Sequence, residues 1–224
     1  MALRALIFDV DGTLAETEEI HRAAFNRAFA EDGLAWHWDV DLYRELLRVT
    51  GGKERIRRYL DMDGVAPALD EARIARLHAR KNEIYGETVR SGGCILRPGV
   101  AALVRSARAS GLRLAIATTT SRPNVEALLA ATFPDEADLF DPIVAGEDVV
   151  AKKPAPDAYV LAVEKLGLPT DVCLALEDSL NGLTAARAAG LATVVTPSLY
   201  TAHEVFDGAA QVIPDLTGFV LERW

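Results

Sequence analysis

Four short apolar runs, at residues 3–8, 112–117, 172–176 and 192–195, stand out from the more polar chain around them. Each is too short for a helix, lacks apolar–polar alternation and is rich in Leu, Ile, Val and Ala. Strands buried on both faces of a parallel sheet have this pattern. Between the last three, a helical period recurs at 124–131 and 179–189. Strands alternating with helices predict a doubly wound α/β fold with a parallel sheet.

From about residue 15 to residue 91 the texture changes. Amphipathic helical segments at 18–29, 42–49, 54–60 and 71–88 are punctuated by Gly33, Gly51-Gly52, Gly64 and Pro67, with no comparable strand run. The expected organisation is an α/β core domain of residues 1–15 and 92–224 with an all-α insertion of residues 16–91. Candidate hinges lie near 15–17 and 91–93.

In open α/β sheets, ligands bind beyond the carboxyl ends of the strands. Here those ends carry Asp9-Val10-Asp11-Gly12-Thr13, Thr118-Thr119-Thr120-Ser121 and Glu177-Asp178-Ser179. Lys152-Lys153-Pro154 leads into another helix, with Pro154 expected in its first turn. Asp9, Asp11, Glu177 and Asp178 would then converge in a low-dielectric site, where unpaired carboxylates repel and at least one protonates. A divalent cation relieves that repulsion, and Mg2+ suits one or two carboxylates, a backbone carbonyl and a phosphate. Lys153 adds a positive group, and Thr118 a neutral donor for a phosphoryl oxygen. Asp9, fixed at a strand end, suits a nucleophile. Asp11, turned back by Gly12, suits protonating the leaving oxygen and later activating water.

Composition narrows the partners. Lysine and arginine number 24 against 33 aspartates and glutamates, a net charge of −9. That argues against nucleic acid or an anionic membrane as the main partner, so cations holding an anionic substrate must be few and local. Cys94 and Cys173 provide neither a disulfide framework nor a metal cluster, which suits a reducing cytosol. No segment approaches the ~18 apolar residues of a membrane span. Asp9 and Asp11 cut short the apolar start before it reaches the length of a signal-peptide core. A cytoplasmic monomer is the expectation.

The strand-end residues resemble the four motifs of the haloacid dehalogenase superfamily of phosphotransferases. Phe8-Asp9-Val10-Asp11-Gly12-Thr13-Leu14 matches the first motif, Thr118 the second, Lys153 in Lys153-Pro154-Ala155-Pro156-Asp157 the third, and Glu177-Asp178-Ser179-Leu180-Asn181-Gly182 the fourth. The resemblance implies an aspartyl-phosphate mechanism, with Asp9 as nucleophile and Asp11 as general acid and base. It further implies Mg2+ held by Asp9, the Asp11 carbonyl and Asp178 with Glu177 close by, and a phosphoryl group bound by Thr118 and Lys153. The helical insertion is similar to the mobile cap of that superfamily. Glu16-Thr17-Glu18-Glu19-Ile20-His21, Thr50-Gly51-Gly52-Lys53-Glu54-Arg55-Ile56 and Arg80-Lys81-Asn82 resemble its β-phosphoglucomutase-like branch. Within the branch they resemble the CbbY family of xylulose-1,5-bisphosphate phosphatases, which remove an inhibitor of Rubisco.

The reaction so implied is Mg2+-dependent hydrolysis of a sugar bisphosphate, xylulose 1,5-bisphosphate giving xylulose 5-phosphate and phosphate. A phosphosugar mutase with the same phosphoenzyme is the alternative enzyme. A receiver-type phospho-acceptor module is the non-enzymatic one, against which stand the helical insertion and Asp11. Thr50, Gly51, Gly52 and Lys53 are candidates for a distal phosphate, through N–H groups at a helix start and the lysine charge. Lys81 and Arg122 are further candidate cations, and Glu16, His21 and Thr119 complete the candidate substrate contacts. Plainer readings exist for several: an ordinary helix start, solvated surface charges, and for Glu16 an acid favoured by the helix dipole. Trp36-His37-Trp38 reads as packing, and Cys173 as a buried small hydrophobe.

Overall fold

In the computed structural model, which describes residues 2–136 and 138–224, six parallel strands form one sheet in the order β3-β2-β1-β4-β5-β6. The strands are β1 (Ala5–Phe8), β2 (Arg113–Ala117), β3 (Ile143–Val144), β4 (Cys173–Glu177), β5 (Ala192–Val195) and β6 (Gln211–Val212). The central strand, β1, explains why the apolar runs do not alternate. Leu6 and Phe8 pack into one core with Leu114, Ile116, Leu174 and Leu176, while Ala5 and Ile7 pack into another with Ala115, Ala117 and Ala175.

The first core is covered by α5 (Val100–Ala109) and α6 (Arg122–Thr132), the second by α7 (Asp157–Leu166) and α8 (Leu180–Ala188). Alanines dominate the second core on both sheet and helices. Small side chains there let α7 and α8 approach the sheet closely. Register aligns the strand ends: Phe8 is paired with both Ile116 and Leu176, and the Asp9 N–H donates to the Leu176 carbonyl at 3.0 Å. Residues immediately after β1, β2 and β4 therefore share one edge.

Between β1 and β2 lie α1 (Glu18–Glu31), α2 (Val40–Leu46), α3 (Gly52–Leu60) and α4 (Glu71–Thr88). They enclose an aromatic core of their own, in which Trp36 and Trp38 pack edge to face on Phe29, and Trp38 packs tilted on Phe25 and Tyr43. Trp38 is fully buried and the Trp36 indole donates to the Ala66 carbonyl at 2.7 Å, so both are packing residues. Tyr200, from the loop after β5, inserts into this same core against Tyr43. The opposite sides of α1 and α4 (Ala24, Ala28, Ile84 and Tyr85) join the first core of the sheet. No described helix is long and apolar enough to cross a membrane.

The two crossings between helices and sheet meet. Ala15 bridges Leu96, and the Arg97 N–H donates to the Leu14 carbonyl at 2.9 Å. After α4 the chain makes an irregular turn over Val89–Gly93, where Gly92 adopts φ +85°. The helix after Lys153 starts later than the sequence pattern suggests: Pro156 precedes Asp157 at its first turn, and Pro154 lies in the loop.

Candidate active site

The carboxyl edge of the sheet opens on a cavity of about 520 Å³ whose lining includes Asp9, Asp11, His21, Lys81, Lys153 and Asp178. Asp9 follows the last residue of β1 and is almost wholly buried. Its Oδ1 accepts from Lys153 Nζ at 2.6 Å, and the same ammonium donates to Glu177 Oε1 at 2.5 Å. Glu177, the last residue of β4, is saturated. Tyr159 of α7 donates its hydroxyl to Oε1 at 2.7 Å, and the Asp178 N–H donates to Oε2 at 3.1 Å. Gly182 must be glycine here, because a Cβ would sit about 2.0 Å from both Glu177 oxygens.

Asp9, Glu177 and Asp178 each offer an oxygen within 4.8 Å of the others. Burial, opposed by Lys153 but reinforced by Glu177 and Asp11, pushes the Asp9 carboxyl up to about 7. Burial, with Asp9 and Glu177 nearby, raises Asp178 well above the usual carboxylate range. These acids cannot all ionise with Lys153 as their sole neutraliser, so the donor set fits a divalent, oxygen-seeking cation. Gly12 shapes the same spot. Its φ is +81° and a Cβ would lie 2.2 Å from Asp178 Oδ2, so the turn after Asp11 admits glycine only.

Asp11 is held differently. Its Oδ1 accepts from the Thr17 hydroxyl at 2.5 Å and lies 3.0 Å from His21 Nε2. Lys81 Nζ donates to His21 Nδ1 at 2.6 Å, which leaves the Nε2 proton for Asp11. Burial opposes the Asp11 charge, but His21, Thr17 and Lys81 outweigh it and hold the carboxyl below its usual range. Burial, set against the Asp11 charge and reinforced by Arg55, brings the Lys81 ammonium down to about 7.

Several sequence candidates are therefore together: Asp9, Asp11, His21, Lys81, Lys153 and Asp178 around the cavity, with Glu177 behind Lys153. Thr119 also lines it, as do Thr50, Gly51, Gly52 and Lys53 from the helical insertion. Thr50 Oγ1 accepts from Asn181 at 3.3 Å, and Lys152 reaches Glu54 at 3.3 Å, so insertion and sheet touch across the mouth.

Three candidates do not line the cavity. Thr118, at the shared strand edge, is buried with Oγ1 accepting from the Thr120 N–H, and its neighbours Thr119 and Thr120 line the cavity. Arg122 turns toward Asp148, at 2.6 Å, and the Ile143 carbonyl, because these acceptors lie beside the start of α6. Glu16 pairs with Arg97 Nε at 3.1 Å and does not line the cavity. Arg97 also donates to the carbonyls of Gly12, Thr196 and Pro197, tying the Asp11-Gly12 turn to the loop after β5.

Sequence reasoning missed Glu18, Arg55, His78 and Tyr159. Arg55 has a legible signal: it lies one turn after Gly52 and beside buried Ile56, on the inward side of α3. Tyr159 has a weaker one, being two residues inside α7 on its buried stripe.

Residues 3–190 match the family model described as haloacid dehalogenase-like hydrolase. The chain is 57% identical to Protein CbbY of Rhodobacter capsulatus over 97% of its own length and 95% of that protein. It is 28% identical to the phosphorylated carbohydrates phosphatase of Thermotoga maritima, covering 93% of this chain and 89% of the other. The fold superposes with a TM-score of 0.92 on a mutant CbbY from Rhodobacter sphaeroides crystallised with xylulose-(1,5)bisphosphate, 51% identical over 96% of this chain and 95% of that one.

Proposed function

Since this chain belongs to the haloacid dehalogenase-like hydrolase family and is a phosphatase, we propose that it removes one phosphate from a small sugar bisphosphate through an aspartyl phosphate on Asp9. The proposed substrate is xylulose 1,5-bisphosphate, and the proposed products are xylulose 5-phosphate and inorganic phosphate. One observation carries the reading. A nucleophile-competent carboxylate, paired with a buried lysine, faces a cavity whose lining also includes Lys53, Arg55 and Lys81. The CbbY relatives, one of them crystallised with that bisphosphate, support the choice of sugar.

The chain's residues divide the work. Lys153 neutralises Asp9 and Glu177 while the anionic phosphate enters, and the Glu177–Tyr159 contact keeps its ammonium in place. Asp9 attacks phosphorus, and the bond from phosphorus to the sugar oxygen breaks. Asp11 protonates that oxygen. Its carboxyl is ionised in the ligand-free arrangement, but a phosphate dianion alongside favours the protonated form. Asp11 then takes a proton from water, which attacks the phosphorus of the aspartyl phosphate and regenerates Asp9. Mg2+, held by Asp9, Asp178 and the Asp11 carbonyl beside Glu177, would offset charge on the phosphoryl oxygens. The core domain would be residues 1–15 and 92–224, and the helical cap 16–91 would exclude water from the closed site.

Phosphate release measured on a panel tests the reading. With Mg2+, xylulose 1,5-bisphosphate should release phosphate, and ribulose 1,5-bisphosphate and fructose 1,6-bisphosphate should be spared. A chelator should stop the reaction and added Mg2+ restore it. Conversion of β-glucose 1-phosphate to glucose 6-phosphate without free phosphate would instead make the protein a mutase. Activity indifferent to chelation would contradict the cation requirement.

A further inference from the structure

We propose that Tyr200 is a positioning residue: its ring, seated in the helical insertion, fixes the loop that holds Asp178, so that the acid site for a cation is complete only while the insertion is docked. The proposal rests on the cation site proposed above and adds what couples that site to the insertion.

Tyr200 belongs to the loop between β5 and β6, yet it is only 2% exposed. Among the described residues it alone enters the aromatic core of the insertion from outside the insertion. Tyr43 of α2 meets its ring edge to face at 5.6 Å, and the Arg44 guanidinium stands 5.8 Å over the ring. The Tyr200 hydroxyl donates to Glu19 of α1. Leu199, its neighbour, is exposed. The loop thus turns its tyrosine into the insertion while leaving an apolar side chain in water.

The same loop grips the acid site. The Thr201 hydroxyl donates to the Asp178 carbonyl at 2.7 Å, and its oxygen stands 3.3 Å from Asp178 Oδ2. That hydroxyl oxygen accepts from the Ser198 N–H at 2.8 Å, and the Ser198 carbonyl accepts from the N–H groups of Thr201 and Ala202 at 3.2 and 3.0 Å. These bonds close a tight turn around Tyr200, so a displacement of its backbone is passed to Thr201. The base of the loop is anchored separately, because Arg97 donates to the Thr196 and Pro197 carbonyls as well as to that of Gly12. What remains free to respond to the insertion is the turn at 198–201, and that turn touches Asp178. Lifting the insertion removes the socket of the ring, and the turn that orients Asp178 then loses its fixed position. Partners that orient a ligand in this way set how well the site binds metal.

The test titrates the substrate-free protein with Mn2+, a divalent ion that oxygen donors also suit, and reads free Mn2+ by electron paramagnetic resonance. Tyr200→Ala should weaken binding about 10-fold, the lower end of what loss of an orienting partner costs. Tyr200→Leu keeps the core filled, guards against a folding defect in the alanine variant, and should weaken binding in the same direction. Tyr200→Phe keeps the ring and should restore most of the affinity. Coupling of this kind is reciprocal, so Mn2+ should slow amide hydrogen exchange in α2 of the wild type but not of Tyr200→Leu. Unchanged affinity in both the alanine and leucine variants, or equal slowing of α2 in wild type and Tyr200→Leu, would overturn the coupling. A wild-type protein that binds no Mn2+ would overturn the cation site itself, and the coupling with it.

Discussion

Asp9→Asn should abolish turnover, lowering phosphate release by on the order of 10⁴-fold or more, as loss of a nucleophile does elsewhere, while leaving the fold intact. Asparagine fills the same volume and its oxygen can still accept from Lys153, but it cannot attack phosphorus. The same substitution should stabilise the metal-free protein at alkaline pH. Asp9 has its carboxyl raised to about 7 against an ordinary 3.8, chiefly by burial. The native state thus holds this proton more tightly than the unfolded chain, and stability is lost as pH rises from about 4 through 7. Asparagine escapes that loss. In the presence of a chelator, the urea midpoint of Asp9→Asn should match wild type near pH 4.5 and exceed it at pH 8. Undiminished turnover would refute the nucleophile assignment, and an equal midpoint at pH 8 would refute the burial argument.

Lys153→Met should act in the opposite sense on stability. The ammonium is 5% exposed and lies 2.6 and 2.5 Å from two buried carboxylates, and burial notwithstanding, those charges push its pKa upward. Its folded value exceeds its unfolded one, so its contribution is fully present at neutral pH. Removing it leaves Asp9 and Glu177 buried without a counter-charge, a change that costs about 3–5 kcal/mol in comparable sites. Acid should repair the variant, because protonating the orphaned carboxylates removes the unpaired charge. Denaturant unfolding with chelator present should show a large deficit at pH 8 that shrinks toward pH 5. A deficit independent of pH would mean that packing of the lysine stem, rather than its charge, is what matters. Phosphate release should fall with either outcome, so the stability profile is the discriminating observation.

These two substitutions also show what the chain discloses before folding. Asp9 and Lys153 are 144 residues apart, yet both are legible: Asp9 follows a short apolar run whose end parallel strands put on one edge, and Lys153 leads into a helical pattern beside that edge. The strands missed were β3 and β6. Two residues each carry no periodicity, and β6 is exposed. The acids and the glycine turn at Gly12 were legible from residue type and spacing. Side-chain direction was not. Arg122 and Glu16 carry suitable charge near suitable elements, but Asp148 and Arg97 are better partners and come from segments that only the tertiary fold brings close. At finer scale, residue type alone does not separate Thr118, which is buried at the strand end, from Thr119 and Thr120, which line the cavity. Arg55 was passed over because a sequence search for phosphate contacts favours glycines and exposed lysines. A buried arginine without a carboxylate becomes informative only once its surroundings are known.

The central claim, covalent transfer of phosphate to Asp9, is tested most directly by rapid acid quench during the first turnover with radiolabelled substrate, followed by peptide mapping. The account predicts one labelled peptide, phosphorylated on Asp9, cleaved by hydroxylamine, absent from Asp9→Asn and decaying as fast as free phosphate appears. Phosphate released in the first turnover with no labelled protein, or label on any other residue, would contradict it.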